Sequence, residues 1–96
     1  MKYTPLEYKL IIYCPTHIDI HTLLPDSYTV VEAVGLWQGK TEAITQYHIL
    51  GDRWHLEAIA GVVVSHLLLA GEYDVLIELA PCGGRVYTKE YVWSTQ

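Results

Sequence analysis

Two β-type runs joined by three residues constrain this chain more than any other feature. Ser27 to Trp37 (SYTVVEAVGLW) and Thr41 to Leu50 (TEAITQYHIL) flank Gln38-Gly39-Lys40. Val, Thr, Tyr, Ile and Trp favour a pleated, half-buried surface, and a short glycine-containing connection closes two such runs into an antiparallel hairpin. Gly35 inside the first run predicts either a bulge or a close approach by a neighbouring backbone.

The segments around the hairpin complete the pattern. Tyr8 to Cys14 (YKLIIYC) reads as a first strand that stops at Pro15. Residues 16–24 read as a short helix or loop: Thr16 is able to cap one or two helical turns, while the alternation of His17, Asp19 and His21 with Ile18 and Ile20 suits extended chain. Pro25, Asp26 and Ser27 make a turn. After the hairpin, Asp52 is a good N-cap for a helix from Arg53 to Ala70, and Gly71 stands where a C-cap glycine belongs. Trp54, Ala58 and Val62, with Ile59, Val63 and His66 a turn further round, predict a broad apolar helix face. Tyr73 to Ala80 (YDVLIELA) then reads as a buried strand, Pro81-Cys82-Gly83-Gly84 as a turn, and Arg85 to Trp93 (RVYTKEYVW) as a final alternating strand.

This order predicts an α+β fold, a ferredoxin-like βαββαβ chain with an extra C-terminal strand. Its antiparallel sheet would carry one long helix at about residues 53–70. A sheet with its helices on one face leaves the other face in need of cover, and pairing two copies is a common solution.

Composition points the same way. With 96 residues the chain makes one domain, 1–96, and buries only about 60–65% of its unfolded surface. A hydrophobic content of 51% in so small a domain favours apolar surface reserved for self-association, so a dimer or higher homo-oligomer is expected. The net charge of −5 with only six basic residues offers no footprint for a phosphate backbone, which excludes groove-bound nucleic acid. Cys14 and Cys82 share no close spacing, so neither a disulfide framework nor a zinc ribbon is indicated and a reduced, cytoplasmic setting fits. The apolar patch before Cys14 is short, and Ala58 to Leu69 is broken by Gly61, Ser65 and His66, so no membrane span or signal segment is expected and the protein reads as soluble.

Three constellations carry candidate chemistry. In Cys14–His21 (CPTHIDIH), His17, Asp19 and His21 would project to one side of a strand at about 6.5–7 Å intervals, a set able to hold zinc or ferrous iron with a fourth ligand from Cys14, His48 or His55. The alternative is that no cofactor is bound and these are solvated loop residues that cap and pair locally. Second, Arg85, Tyr87, Lys89, Tyr91 and Trp93 set stacking planes beside cations, joined by Trp37 at the hairpin tip. Such a surface suits a planar, nucleotide-like anion, or equally a subunit contact. With eight Tyr, three Trp and no Phe, the aromatic inventory favours faces that are sometimes wet and sometimes covered. Third, Gly83-Gly84 beside Arg85 is either an anion nest or a tight turn. His55 and His66, eleven positions apart on one side of the helix, read as a surface and an interface histidine. No P-loop, GxGxxG, HExxH or serine-triad order is present, so catalysis has no strong witness.

The segment LPDSYTVVEAVGLWQGKTEAITQYHILGD, followed by a helix and YDVLIEL, resembles small ferredoxin-like proteins of phages and bacteria. In these, a Thr-Val strand (here Thr29-Val30) leads to a Gly-x-Trp step (Gly35-Leu36-Trp37), a polar turn, a strand, a helix and a last apolar strand. The likeness spans roughly residues 8 to 80, with a much shorter first helix here. It implies the fold and carries no catalytic residue across. By the same analogy it implies a phage-type inhibitor of host defence, which sequesters a small nucleotide-like signal or blocks a host protein. The functional expectation is therefore a non-enzymatic oligomeric binding protein. The alternatives are a small metal-dependent or His-based hydrolase using His17, Asp19 and His21, and a purely structural assembly module.

Overall fold

The computed structural model describes residues 3–87. Four strands and one helix follow in the order β1 (Tyr3–Pro15), a 3-10 turn at His21–Leu23, β2 (Thr29–Trp37), β3 (Lys40–Gly51), α1 (Arg53–Leu69) and β4 (Leu76–Tyr87). They form an α+β domain with a single antiparallel sheet of strand order β2-β3-β1-β4.

The hairpin forms as expected, with a two-residue tip. Trp37 pairs with Lys40, and Gln38 and Gly39 both take positive φ, 49° and 79°, the conformation that matches the twist of paired strands. Gly35 marks no bulge. A Cβ there would lie 3.1 Å from Cγ1 of Ile44, so the glycine admits a cross-strand side chain.

The helix also forms as expected, with both ends satisfied. The Asp52 carboxylate accepts a 2.9 Å bond from the His55 backbone N–H. At the other end Gly71 (φ 99°) donates to Leu68 O at 3.1 Å and Glu72 to Leu67 O at 3.1 Å, a Schellman closure. The buried face differs from the expected one. Leu56, Ile59, Ala60, Val63 and Leu67 turn inward, while Trp54 (84% exposed) and Val62 face outward. The helix is apolar nearly all round, so the sheet rather than the periodicity selected its inner stripe.

Residues 16–24 take the loop form of the two expected, with a single 3-10 turn and no α-helix, whereas the ferredoxin-like strand pattern is corrected. The turn is set by Asp19, whose Oδ1 accepts from the His21 backbone N–H at 3.0 Å. Pro81-Cys82-Gly83-Gly84 is not a turn, and there is no extra C-terminal strand among the described residues: Leu76 to Tyr87 is one strand. The expected βαββαβ chain of five strands, with one long helix and a short helix or loop, is thus reduced to four strands and one α-helix among the described residues. The physical reason lies in position. β4 is an edge strand paired only with β1, and its register shifts between Leu6 and Tyr8. Proline and glycine are tolerated at edges and bulges because no ladder bond is lost on the outer side. Pro5 is accommodated similarly, since β3 ends opposite Tyr8 and leaves Pro5 beside β4 alone.

The core lies between α1 and one face of the sheet. Leu10, Ile12 and Cys14 of β1, Tyr47 and Ile49 of β3, Ile20 and the inner helix residues are buried. Alternate residues, among them Lys9, Ile11, Tyr13, Gln46, His48, Leu50 and Glu78, occupy the opposite, uncovered face. No side chain of β2 is buried.

Register makes the molecule long. β3 continues past Pro15 to Lys40 with only β2 beside it, and β1 continues past Gly51 to Tyr3 with only β4 beside it. Two ribbons therefore extend from opposite ends of the sheet, over 55 × 24 × 23 Å. The radius of gyration is 16.0 Å, against about 12 Å for a spherical domain of this length.

Candidate functional site

The residues of CPTHIDIH separate in space. Cys14 is fully buried on the core side, its thiol 3.4 Å from Pro15 O and 3.5 Å from Ile18 O. Burial, reinforced by the charges of Glu72 and Asp19, pushes the thiol pKa up to about 11, so it is not a ready thiolate at neutral pH. His17, Asp19 and His21 are exposed in the turn that follows. Asp19 holds both the His21 backbone and its ring Nδ1, and these bonds, the backbone one first, hold its carboxyl below the usual range. The pair is the local capping arrangement of a loop. His48 lies on the uncovered sheet face, bonded through Nε2 to Gln46 Oε1 at 2.9 Å, and His55 begins the helix. Among the described residues no three His, Cys, Asp or Glu side chains gather into a metal-holding group. His66 is exposed in the last helical turn.

The aromatic-cationic set is also divided. Trp37 stands at the tip of the β2–β3 ribbon, whereas Arg85 pairs with Pro5 on the β1–β4 ribbon at the other end. One subunit does not bring them together. Arg85 stacks 4.8 Å above the Tyr3 ring, a cation–π contact. Tyr87 ends β4 opposite Tyr3, and Lys89, Tyr91 and Trp93 lie outside the described residues. Gly83 and Gly84 sit within a strand and make no nest. Cys82 is partly buried, with its thiol 3.3 Å from Leu6 O.

The structure adds a feature that the sequence did not announce. Where β1 stops at Pro15 and β2–β3 run on, the uncovered sheet face drops into a groove of about 670 Å³, within the size range of small-ligand sites. Tyr13, Pro15, Ile44 and Gln46 line it from the end of the sheet. Ala33, Gly35, Trp37 and Glu42 come from the ribbon, and Glu72, Tyr73, Asp74 and Leu76 from the segment leaving the helix. The Schellman closure at Gly71 positions that last wall, by turning the chain out of the helix and across the end of β1. The only hint in the sequence is Gly71 itself, which marks the exit without its direction.

Polar groups on the same face are partnered. The Tyr13 hydroxyl donates to Glu78 Oε1, and that bond, more than burial, raises the phenol pKa. His48 is held below its usual pKa, first by partial burial and then by Lys9, with Glu78 opposing. No buried side-chain nitrogen or oxygen among the described residues lacks a partner. No helix among them is long and apolar enough to cross a membrane.

No protein-family model matches the chain, and comparison with curated proteins and with solved structures finds no match either.

Proposed function

We propose that this chain is a non-enzymatic, homo-oligomeric binding protein. Copies associate through the β2–β3 ribbon and the adjoining uncovered sheet face, with a ligand or protein target held at or beside that contact. One observation carries the reading: the ribbon is covered on neither side, yet Val34 (73% exposed) and Leu36 (72%) point one way and Val31 and Trp37 (57%) the other. Adjoining apolar side chains left in water at this density mark a contact surface rather than ordinary scatter. Burying a Val or Leu side chain contributes about 1.5–3 kcal/mol. A stable contact needs about 800 Å² per partner, and the sheet face beside the ribbon is included in it for that reason.

In the phage-type setting that the sequence resemblance implies, such an assembly would sequester a signal molecule or block a host protein. The stacked Arg85 and Tyr3 at the opposite end support binding of a planar anion there. The hydrolase alternative has less support, because Asp19 and His21 are engaged with each other.

Light scattering and sedimentation velocity at micromolar concentration test the proposal. A dimer or higher oligomer is expected, and Val34→Asp combined with Leu36→Asp should yield monomer with the circular dichroism spectrum retained, since both side chains lie outside the core. A wild-type monomer overturns it.

A further inference from the structure

The groove at the root of the ribbon has a consistent chemistry. Its floor is apolar: Pro15, Ala33, Ile44 and Leu76. Aromatic rings rise on two sides, Trp37 from the ribbon and Tyr73, 96% exposed, from the segment after the helix. The charged lining residues are Glu42 on the ribbon side and Glu72 and Asp74 on the other, and no described lining residue is basic. Leu76 is level with Tyr13 and Gln46 in the sheet register, so β4 and β3 are two strand spacings apart there, about 10 Å.

We propose that this groove binds a linear aliphatic polyamine, an extended polycation whose ammonium groups are separated by methylene runs. Each feature has a counterpart in such a ligand. The methylenes lie along the apolar floor, the ammonium groups meet the carboxylates at either side, and Trp37 and Tyr73, which also line the groove, offer π-faces to cations. A nucleotide-like anion is disfavoured in this groove, because its phosphates would face three carboxylates against a single cation, Lys40, standing opposite Trp37 at the ribbon tip. All the lining comes from one chain, so the site is complete without a second copy; it shares Trp37 with the contact proposed above and rests on that contact leaving the groove open.

Isothermal titration calorimetry with spermine, spermidine, putrescine and AMP on the full chain tests the assignment. Saturable binding of one spermine per chain is expected, in the order spermine, spermidine, putrescine, with AMP failing to displace spermine, and affinity should fall as salt rises. Glu42→Gln and Asp74→Asn should each weaken spermine binding about 2- to 5-fold, the range for an exposed ion pair. Trp37→Ala should weaken it further, whereas Glu57→Gln, on the helix outside the groove, should leave it unchanged. All these residues are exposed, so the fold tolerates the changes, and unfolding curves on each variant verify it. Equal weakening by Glu57→Gln would mean diffuse attraction to a chain of net charge −5 and would overturn the proposal, as would displacement of spermine by AMP or no saturation below millimolar concentration. Light scattering on the same samples reports the oligomer separately, so either proposal is able to fail without the other.

Discussion

Gly83 and Gly84 discriminate between a strand and a turn at PCGG. Gly84 lies opposite Leu6, immediately before the register shift. A Cβ there would stand 2.8 Å from the Leu6 carbonyl oxygen, 3.3 Å from Leu6 Cβ and 3.4 Å from Leu50 Cδ1. The first of these is backbone and has no rotamer by which to move, so Gly84→Ala must push β4 away from β1. Overpacking of this kind costs about 1–3 kcal/mol. At about 4–8 °C per kcal/mol for a domain of this size, the midpoint should fall by about 4–24 °C. Gly83 is the control. A Cβ there meets nothing within 4 Å, and its φ is not among the positive ones. Gly83→Ala should therefore be neutral, or stabilise by about 0.4–1 kcal/mol through reduced freedom of the unfolded chain. Thermal unfolding followed by circular dichroism, with urea titration for the free-energy differences, measures both. A tight turn would require glycine for backbone reasons at one or both positions; damage at Gly83 equal to or greater than that at Gly84 would refute the continuous β4 strand.

Two further outcomes follow from the chemistry of single groups. Cys14, with its pKa raised from 9.0 to about 11, should resist iodoacetamide at neutral pH while Cys82 reacts, as peptide mass mapping would show; modification of Cys14 in folded protein contradicts its burial. Because the raised pKa favours the neutral thiol in the fold, Cys14 contributes stability that is present below pH 9 and lost as pH rises towards about 11. Cys14→Ser should flatten that alkaline decline in urea-unfolding stability. Asp52→Ala removes the N-cap bond to His55 and should cost about 1 kcal/mol, or about 4–8 °C in midpoint, with Asp52→Asn largely restoring it. An unchanged midpoint for the alanine variant would mean that the helix start is held by packing alone.

The elements legible from sequence were those whose instructions are local. Asp52 and Gly71 terminate a helix by bonds within a few residues of themselves, and Gln38-Gly39 accept the positive φ that a hairpin tip needs. The hairpin, the long helix and the strand before Cys14 were therefore readable from residue order, as was a local bond between Asp19 and His21. What the chain alone left open depends on partners far away in sequence. Pro81, Gly83 and Gly84 carry turn chemistry, and only the placement of β4 on the sheet edge, against a bulged β1, lets them continue a strand. Val62 and Val63 are equally apolar, and contact with β1 and β3 decides that Val63 is buried and Val62 is not.

The tertiary structure alone decided the candidate site. Trp37 and Arg85 looked like members of one aromatic and basic surface because strand alternation repeats along the chain without reporting which end of the sheet a strand reaches. Register places them at opposite ends. Conversely, Glu42 and Glu72, thirty positions apart, share a groove because β1 stops at Pro15 while the hairpin continues and the helix exit folds across the gap. Sequence determined the parts through short-range bonding and capping, and a surplus of apolar side chains. Long-range strand pairing, which no local pattern encodes, set which of those side chains stayed exposed and which charges came to face one another.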